Sequence, residues 1–320
     1  MIKYILCVSV LVLLLAILPA CGSKSAEIIL DTATPEPTEI PKLAPGEITS
    51  PERTLEDADS SIKAEENRAL TGDNFLENLF ERPFTAQEMV YQPDLNILTT
   101  SISSDENFFY FIITLDNVNT SSGRLEGTYG IEFDRTQTGR GDLLVWVTRL
   151  SLDWSTEGII VFINPTGTVG GLDPLIAEES YEGKGYTQTL KMEGDKVAWT
   201  RVSPDDPSAV QIAVSRALLD NPEEFLWGAW ADNGVKDPSL FDYDDHFGPS
   251  EAGSPLDTSE DYPLQALYNL DNTCRLPHGI DQMTSMIPGM CITSQPGLNC
   301  VCTFWVNFGA ARVCALWDCD

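Results

Sequence analysis

Basic residues and histidine are scarce in this sequence. Lysine and arginine together number 19 against 49 aspartates and glutamates, so the 320-residue chain carries a formal net charge of −30. Such a surface repels phosphate groups, and we therefore exclude nucleic acid and anionic lipid headgroups as main partners. Only two histidines are present, His246 and His278, which excludes any site that needs three imidazoles.

Cysteine is absent between Cys21 and Cys274, and the signature motifs of the common enzyme classes are absent throughout. The chain contains no Gly-x-Ser-x-Gly, no Gly-x-x-x-x-Gly-Lys-Ser/Thr, no His-Glu-x-x-His and no Gly-x-Gly-x-x-Gly. These absences favour a protein without catalytic activity, and the question of an enzyme stays open.

An apolar run near the N-terminus predicts export. Residues 5–18 carry no charge, and the run is too short to span a membrane comfortably, so residues 1–20 are predicted to be a signal peptide. The run ends in Leu18-Pro19-Ala20-Cys21, which resembles the lipobox of bacterial lipoproteins. The resemblance implies that Cys21 receives acyl chains such as palmitate and anchors the protein to a cell membrane, facing the extracellular or periplasmic side. The alternative is an ordinary secretory signal in which Cys21 has no role.

Residues 21–79 are predicted to form an acidic, proline-rich tether. Prolines recur among threonine, serine, glutamate and alanine, and aromatic residues are few. Such a stretch cannot bury enough apolar surface to offset its chain entropy, so we expect disorder. A flexible coil of this length reaches about 40 Å. Around residues 56–78 the composition becomes compatible with a short helix.

Residues 80–262 are predicted to be an all-β domain. Short apolar runs alternate with clusters of turn residues, and no long amphipathic helix interrupts them apart from a short helix-like piece at 216–224. This pattern favours an antiparallel β-sandwich of about nine strands. The predicted strands cover residues 97–102, 108–115, 129–134, 143–148, 159–163, 187–192, 197–202, 210–214 and 225–231.

Two segments of this domain, SDENFFYF (104–111) and YGIEFD (129–134), are similar to the strand pattern of DOMON-like and family-9 carbohydrate-binding modules. The whole body, over about residues 80–291, resembles an uncharacterised family of exported bacterial lipoproteins. That likeness is carried by ERPF (81–84), GRGD (139–142), FDYDDH (241–246), YPL (262–264) and DNTCR (271–275). The resemblance implies a β-sandwich in the cell envelope and implies no established activity.

The loop from Asp134 to Asp142 has spacing typical of a calcium loop. Its frame is Asp-x-x-x-x-Gly-x-x-Asp, and Thr136 and Thr138 supply hydroxyl oxygens between the two carboxylates. Calcium takes six to eight oxygen ligands, so this set predicts weak calcium binding. The alternative is a tight hairpin between two strands, without a metal.

A second acidic cluster comprises Asp242, Asp244, Asp245 and His246. In an extended segment, Asp242 and Asp244 would point to the same side. With His246 they could bind a divalent ion or act as acid and base in a hydrolase. The alternative is that these side chains cap turns through local hydrogen bonds.

Aromatic residues are the other candidate ligands. Exposed flat rings stack on sugar faces, and neighbouring Asp, Asn and Glu side chains accept hydrogen bonds from hydroxyl groups. We predict that Trp154, Trp230, Tyr186 and Tyr243 form such a surface, with one or two of the five tryptophans of the domain facing solvent. The alternative is that these rings belong to the core.

Residues 263–320 are predicted to be a cysteine-rich tail held by disulfides. Six cysteines fall here, Cys274, Cys291, Cys300, Cys302, Cys314 and Cys319, and a piece this short cannot bury a sufficient core alone. Their spacings lack the paired Cys-x2-Cys units of zinc sites. Because Cys274 and Cys291 enclose a turn-rich loop, we predict a Cys274–Cys291 bridge. Cys300 and Cys302 should pair with Cys314 and Cys319 in an order that the sequence leaves open.

Together these features predict a cell-surface lipoprotein with a non-catalytic β-sandwich that binds an extracellular glycan. Two alternatives stay open, a structural or protein-interaction module of the cell envelope and a hydrolase that uses the acidic cluster near Asp244. Calcium is the one cofactor that the sequence suggests.

Overall fold

The computed structural model describes residues 43–66, 73, 78–170, 184–253, 263–283, 287, 289–291, 300–308 and 311–319. All of them belong to one compact unit, Pro41–Asp320. The predicted signal peptide, Cys21 and the first part of the predicted tether lie outside the described residues. No helix within the described ranges is long and apolar enough to cross a bilayer.

The described residues form fifteen strands and a few short helices. The strands are β1 Arg53–Glu56, β2 Glu81–Arg82, β3 Ile97–Ser104, β4 Phe108–Leu115, β5 Thr128–Asp134, β6 Leu143–Val147, β7 Ile159–Ile163, β8 Gln188–Leu190, β9 Ala198–Val202, β10 Ala209–Ser215, β11 Phe225–Asp232, β12 Leu270–Asn272, β13 Leu276–His278, β14 Cys300–Phe308 and β15 Ala311–Cys319. The helices are α1 Tyr243–His246 and α2 Pro249–Ala252, with 3₁₀ turns at Ser60–Glu66, Arg216–Leu219 and Pro238–Leu240.

Thirteen of these strands form two antiparallel sheets. One sheet has five strands in the order β1-β3-β4-β10-β9. The other has eight, in the order β2-β12-β11-β5-β6-β7-β8, with β13 also paired to β11. The predicted all-β antiparallel sandwich is therefore confirmed, and all nine predicted strands are present. The strands β14 and β15 pair with each other in a separate hairpin.

The main core lies between the two sheets, and alternating side chains build it. On β4, Phe109, Phe111 and Ile113 are fully buried in this core. Trp227 enters it from β11 and meets the Phe111 ring with a centroid separation of 5.0 Å. The alternation sends every second side chain of each strand to the outer face of its sheet. Whether these side chains meet solvent therefore depends on what covers the outer face of each sheet.

A second core covers the outer face of the eight-stranded sheet. The two described ends of the connection between β7 and β8, and the connection after β11, fold over this face. They bury large apolar side chains against it. The members of this second core include Phe80, Leu144, Trp146, Val169, Tyr186, Trp230, Phe241, Tyr243, Leu267 and Leu270. Trp227 and Trp230 thus lie on opposite faces of β11, as their spacing predicts, and both are buried.

The folded unit extends beyond the predicted boundaries of residues 80–262. Within the predicted tether, β1 pairs with β3, and Leu55 packs against the main core. Beyond residue 262, β12 and β13 pair with β11. The prediction of disorder is therefore wrong for residues 43–66, because β1 forms the edge of the five-stranded sheet beside β3 and its apolar residue Leu55 packs against the core. A fragment that starts at residue 71 would lose a strand of the sandwich.

Candidate functional site

Three of the four predicted ligand-binding aromatic residues are buried. Trp230 and Tyr186 are each 1% exposed and Tyr243 is 0% exposed. The Tyr186 hydroxyl donates to Glu132 Oε1 at 2.8 Å, and the Trp230 ring lies 4.5 Å from that of Phe241. The prediction that these three rings meet a ligand is wrong, because the connections that form the second core cover them.

Trp154 and Trp199 are the partly exposed tryptophans of the sandwich. Both lie on the outer face of the five-stranded sheet, where they pack beside Phe108 and Tyr110. We call these four residues the aromatic face. The count of one or two solvent-facing tryptophans is therefore confirmed, and of the predicted ligand residues only Trp154 is among them.

The loop after β6 brings Trp154 onto this face. Ser155 pairs with Thr200, each amide donating to the other's carbonyl at 3.0 and 2.9 Å, so the loop extends the sheet beside β9. The Arg201 guanidinium then lies over the Trp154 ring, 4.4 Å from its centroid. Arg201 Nε also donates to Gln211 Oε1 at 2.7 Å. These contacts fix the ring and hold polar groups beside it.

Strand register aligns the aromatic face with a polar row. Tyr110, Ala213 and Trp199 are successive neighbours across β4, β10 and β9. The adjacent row consists of Ser101, Ile112, Gln211 and Arg201. With strands about 4.8 Å apart, four strands span roughly 14 Å. The accessible ring and the accessible polar group of the two rows are Trp199 and Arg201, because Tyr110, Ser101 and Gln211 are buried.

An N-terminal strap, residues 43–48, covers part of this face. Leu43 and Ile48 pack against it. The Trp199 Nε1–H donates to the Leu43 carbonyl at 3.1 Å, and the Gly46 amide donates to the Tyr110 hydroxyl at 3.0 Å. Burial and the hydrogen bond to Asp105 raise the pKa of Tyr110 to about 12. The strap buries Tyr110 and leaves the Trp154 and Arg201 end accessible.

The predicted calcium loop uses its first carboxylate to close a hairpin. Asp134 Oδ1 accepts from the Thr136 hydroxyl at 3.1 Å and from the Thr138 amide at 3.2 Å. Asp134 Oδ2 accepts from the Gly139 amide at 2.7 Å. Gly139 has φ 83°, a conformation that favours glycine. These contacts favour the hairpin alternative.

The second carboxylate of that loop is ion-paired. Asp142 accepts from the Arg135 amide and from Arg135 Nε, both at 2.6 Å. Burial raises the pKa of Asp142, although Arg135 opposes the shift. Both carboxylates accept hydrogen bonds from donors of the loop itself. A metal bound by Asp134 and Asp142 would have to displace those donors.

A cavity of about 460 Å³ adjoins this loop. Leu143, Leu190 and Leu219 form part of its apolar wall. Its two cations are joined by Asp220, which lies 3.0 Å from Arg135 Nη1 and 2.6 Å from Lys196 Nζ. The volume suits a small ligand. Among the described residues that line it none is aromatic, so the cavity offers no stacking surface.

The second acidic cluster begins a helical turn. The segment Tyr243–His246 is α1, so the expectation of an extended segment is wrong there. Asp242 is buried, and its two oxygens accept from the amides of Gly170 at 2.6 Å and Gly185 at 2.9 Å. Asp245 is buried as well, whereas His246 is half-buried. Asp242 thus clamps two connections together, which favours the structural alternative. The Asp244 side chain lies outside the described atoms.

The predicted Cys274–Cys291 disulfide is confirmed. The two Cα atoms are 5.1 Å apart, and the bridge joins residues 17 apart in sequence. In the hairpin, backbone register places Cys300 opposite Cys319, Cys302 opposite Trp317 and Cys314 opposite Trp305. Pairing among the last four cysteines stays a prediction, because their side chains lie outside the described atoms.

Sequence reasoning missed the partly exposed Arg201 and its buried hydrogen-bond partner Gln211. The signal for Arg201 was available, since Trp199 and Arg201 are two apart on a predicted strand and share a face. Gln211 required the register between β9 and β10, which the sequence does not contain.

Comparisons of this chain with models of protein families, with curated proteins and with solved structures found no match. The resemblance to DOMON-like and family-9 carbohydrate-binding modules therefore stays a prediction that rests on the residues quoted for it. The function of the aromatic face is inferred from its own geometry.

Proposed function

We propose that this protein is an exported lipoprotein whose five-stranded sheet binds a neutral extracellular glycan. The lipid on Cys21 anchors the chain to a membrane, and the sandwich carries the glycan on the aromatic face. The protein acts by binding and has no catalytic role.

One observation carries the proposal. Trp154 and Trp199 keep part of their rings accessible on a single sheet face, whereas Trp146, Trp227 and Trp230 are at most 2% exposed. Aromatic rings carry a large apolar area, and accessible rings that are grouped on one face can stack on the apolar face of a ligand. The two half-buried rings therefore support a stacking surface for the apolar face of a sugar.

The polar groups beside the rings suit hydroxyl ligands. Gln211 accepts from Arg201 and donates from Nε2 to Ser203 Oγ at 3.2 Å. Gln211 itself is only 6% exposed, so the partly exposed Arg201 and Ser203 are the groups that can meet sugar hydroxyls. A net charge of −30 disfavours anionic polysaccharides, which supports a neutral ligand.

The test is a glycan array probed with the purified full-length protein, followed by titration of the best ligand. Trp154→Ala and Trp199→Ala should each weaken binding at least tenfold, since each removes a stacking surface. Leu152→Ala is the matched control, because Leu152 lies in the same loop, is 80% exposed and is absent from the aromatic face. It should leave the affinity unchanged.

Two results would overturn the glycan proposal. One is a wild-type protein that binds no glycan on the array, and the other is binding that survives both tryptophan substitutions. The anchor is tested separately by labelled palmitate, which should be incorporated by wild-type cells and lost with Cys21→Ala. Label that survives this substitution would contradict the assignment of Cys21.

A further inference from the structure

Three carboxylates from distant parts of the chain meet where the two sheets join. One oxygen each of Asp57, Glu81 and Asp271 lies within 4.8 Å of the others. Glu81 and Asp271 face each other across the β2–β12 ladder. Asp57 directly follows β1, and its amide donates to the Leu98 carbonyl at 2.9 Å. We call these three residues the acidic triad.

The triad has little access to water. Asp271 is 0% exposed and Glu81 is 4% exposed. Asp57 is half-buried as a residue, but its Oδ2 is inaccessible. Asp271 Oδ2 accepts a hydrogen bond at 2.6 Å from the amide of Ile97, the first residue of β3. The triad therefore lies inside the protein and links the edges of both sheets.

One oxygen of each triad carboxylate lacks a hydrogen-bond partner. These atoms are Asp57 Oδ2, Glu81 Oε2 and Asp271 Oδ1. Buried polar atoms are nearly always satisfied, and leaving one unpaired is costly. Three such atoms on mutually close acids indicate that the site is built for something that the described protein atoms do not provide.

Arg82, the residue after Glu81, is paired with another acid. Arg82 Nε and Nη2 donate to the two oxygens of Asp73 at 2.6 and 2.9 Å. Arg82 Nη1 donates to the carbonyls of Ala252 and Leu267. No lysine, arginine or histidine of the described residues forms an ion pair with the triad.

Three neighbouring carboxylates cannot all stay ionised in such an environment without a counterion. Burial raises the pKa of all three, and for Asp57 the value rises to about 7. The neighbouring acids raise the pKa of Glu81 and Asp271 further. The site must therefore hold either protons or a cation.

We propose that the acidic triad binds one calcium ion. The donor set contains only carboxylate oxygens. Such a set suits a hard cation such as calcium better than a transition metal, which favours nitrogen or sulfur ligands. Calcium–oxygen distances are about 2.3–2.6 Å, so two ligand oxygens on opposite sides of the ion lie up to about 5 Å apart. The triad oxygens fit within that limit. Water and the second carboxylate oxygens complete the coordination.

Calcium would then tie the segment after β1 to the edge of the eight-stranded sheet. Because Asp57 and the strap belong to the same N-terminal segment, the ion would also restrain the strap that borders the aromatic face. The metal site itself is independent of the proposed glycan function, since the triad and the aromatic face share no residue.

The experiment uses purified full-length protein treated with EDTA and dialysed, then titrated with CaCl₂ by calorimetry and followed by thermal unfolding. Wild type should bind one calcium per chain. At one hundred times the Kd, calcium should raise its Tm by roughly 5 °C. Glu81→Gln and Asp271→Asn should abolish both effects.

The metal-free variants provide the second readout. Each substitution removes an acid that, without metal, must either repel its neighbours or hold a proton, so metal-free Glu81→Gln and Asp271→Asn should melt at or above the temperature of metal-free wild type. Their melting shows that the variants are folded, so a loss of binding is not a loss of structure. Asp134→Asn, in the loop with calcium-like spacing, should still bind one ion. Asp232→Asn, a buried acid with hydrogen-bonded oxygens on β11, is the matched control and should do the same.

Three outcomes would overturn the proposal. The first is the absence of heat and of any Tm shift when wild type receives calcium. The second is full calcium binding by both triad variants. The third is binding of MgCl₂ or MnCl₂ in preference to CaCl₂, which would assign a different cation to the site.

Discussion

The outer faces of the two sheets carry similar residues and use them differently. On the eight-stranded sheet, Trp230 and Arg275 are buried under the second core, and Arg275 Nη2 lies 2.8 Å from Glu132 Oε2. On the five-stranded sheet, Trp154 and Arg201 stack at the surface, 4.4 Å apart. Tryptophan and arginine are thus buried in a polar network on one face and partly exposed on the other.

The buried ion pair explains one of the segments quoted for the family likeness. Arg275 Nη1 donates to the Gly139 carbonyl at 2.8 Å, and Tyr186 donates to the same Glu132 that pairs with Arg275. A Cβ atom on Gly141 would collide with the Tyr186 hydroxyl and the Glu132 carboxylate. The glycines of GRGD therefore allow the hairpin to close over a buried polar network.

The largest expected effect is loss of this network. Arg275→Ala should lower the free energy of unfolding by about 3–5 kcal/mol, because it leaves the Glu132 carboxylate buried without its cation. Arg201→Ala, the matched change on the five-stranded sheet, should cost about 1–2 kcal/mol, since it loses a partly exposed stacking contact and one hydrogen bond to Gln211. Urea unfolding measures both. Equal effects would contradict the contrast between the faces.

Removal of a tryptophan should divide the faces in the same way. Trp230→Ala should cost about 3–4 kcal/mol, because a fully buried ring leaves a cavity in the second core. Trp154→Ala should cost about 1 kcal/mol, since its ring is partly exposed and stacks on a single arginine. Denaturant unfolding of the two variants gives the comparison. A cost for Trp154→Ala as large as that for Trp230→Ala would make Trp154 a core residue.

The disulfide next to Arg275 gives the third prediction. Replacing Cys274 and Cys291 together by serine should cost about 3 kcal/mol, because the unfolded chain regains the entropy of a loop of this length. The calcium affinity of the acidic triad should be unchanged, since the bridge touches none of its residues. Unfolding with and without a reducing agent checks the first expectation, and calorimetry checks the second.

An acid on the eight-stranded sheet and an acid beside the five-stranded sheet have pKa values that are shifted in opposite directions. On β11, burial raises the pKa of Asp232 to about 6, although the Lys236 and Gly234 amides oppose the shift. A carboxyl with a higher pKa in the folded state adds stability at acid pH, which is lost as the pH rises through about 6. The rise of this pKa from its ordinary value to about 6 corresponds to about 2–3 kcal/mol. Asp232→Asn should reduce the decline by about that amount.

Asp105, beside β4, is the control of opposite sign. Burial opposes the shift, but the Tyr110 hydroxyl and the amides of Asn107 and Phe108 lower the pKa of Asp105. Its contribution to stability is present above its unfolded pKa and is lost as the pH falls through the folded value. Urea unfolding between pH 3 and 7.5, in saturating calcium, should show Asp105→Asn reducing only the acid-side loss. A decline above pH 4 that is as large in Asp232→Asn as in wild type would contradict the assignment, because Asp142 contributes only part of it.

Much of the fold could be predicted because its signals are local. Alternating apolar residues on 108–115 and turn residues around them define β4 without reference to the rest of the chain. The Cys274–Cys291 bridge could be predicted because the intervening turns bring two nearby cysteines together. The edge strand β1 could not, since its few apolar residues become useful only when β3 lies beside them.

The candidate sites depended on contacts between distant residues. The acidic triad combines residues 57, 81 and 271, and the β2–β12 register makes two of them neighbours. Glu81 and Asp271 stand in two of the segments quoted for the family likeness, but no spacing in the sequence indicates that they meet each other or Asp57. The loop from Asp134 to Asp142 has the better spacing, yet its own amides already satisfy the first carboxylate.

The amino-acid sequence by itself determined the β-sandwich, its nine main strands, one disulfide and the net charge of −30. Each of these follows from local periodicity, from turn chemistry or from total charge. Only the tertiary structure decided which tryptophans are accessible and which carboxylates meet. Ring burial depends on whether connections far away in sequence fold over a sheet face, and such contacts form only when the whole chain has packed.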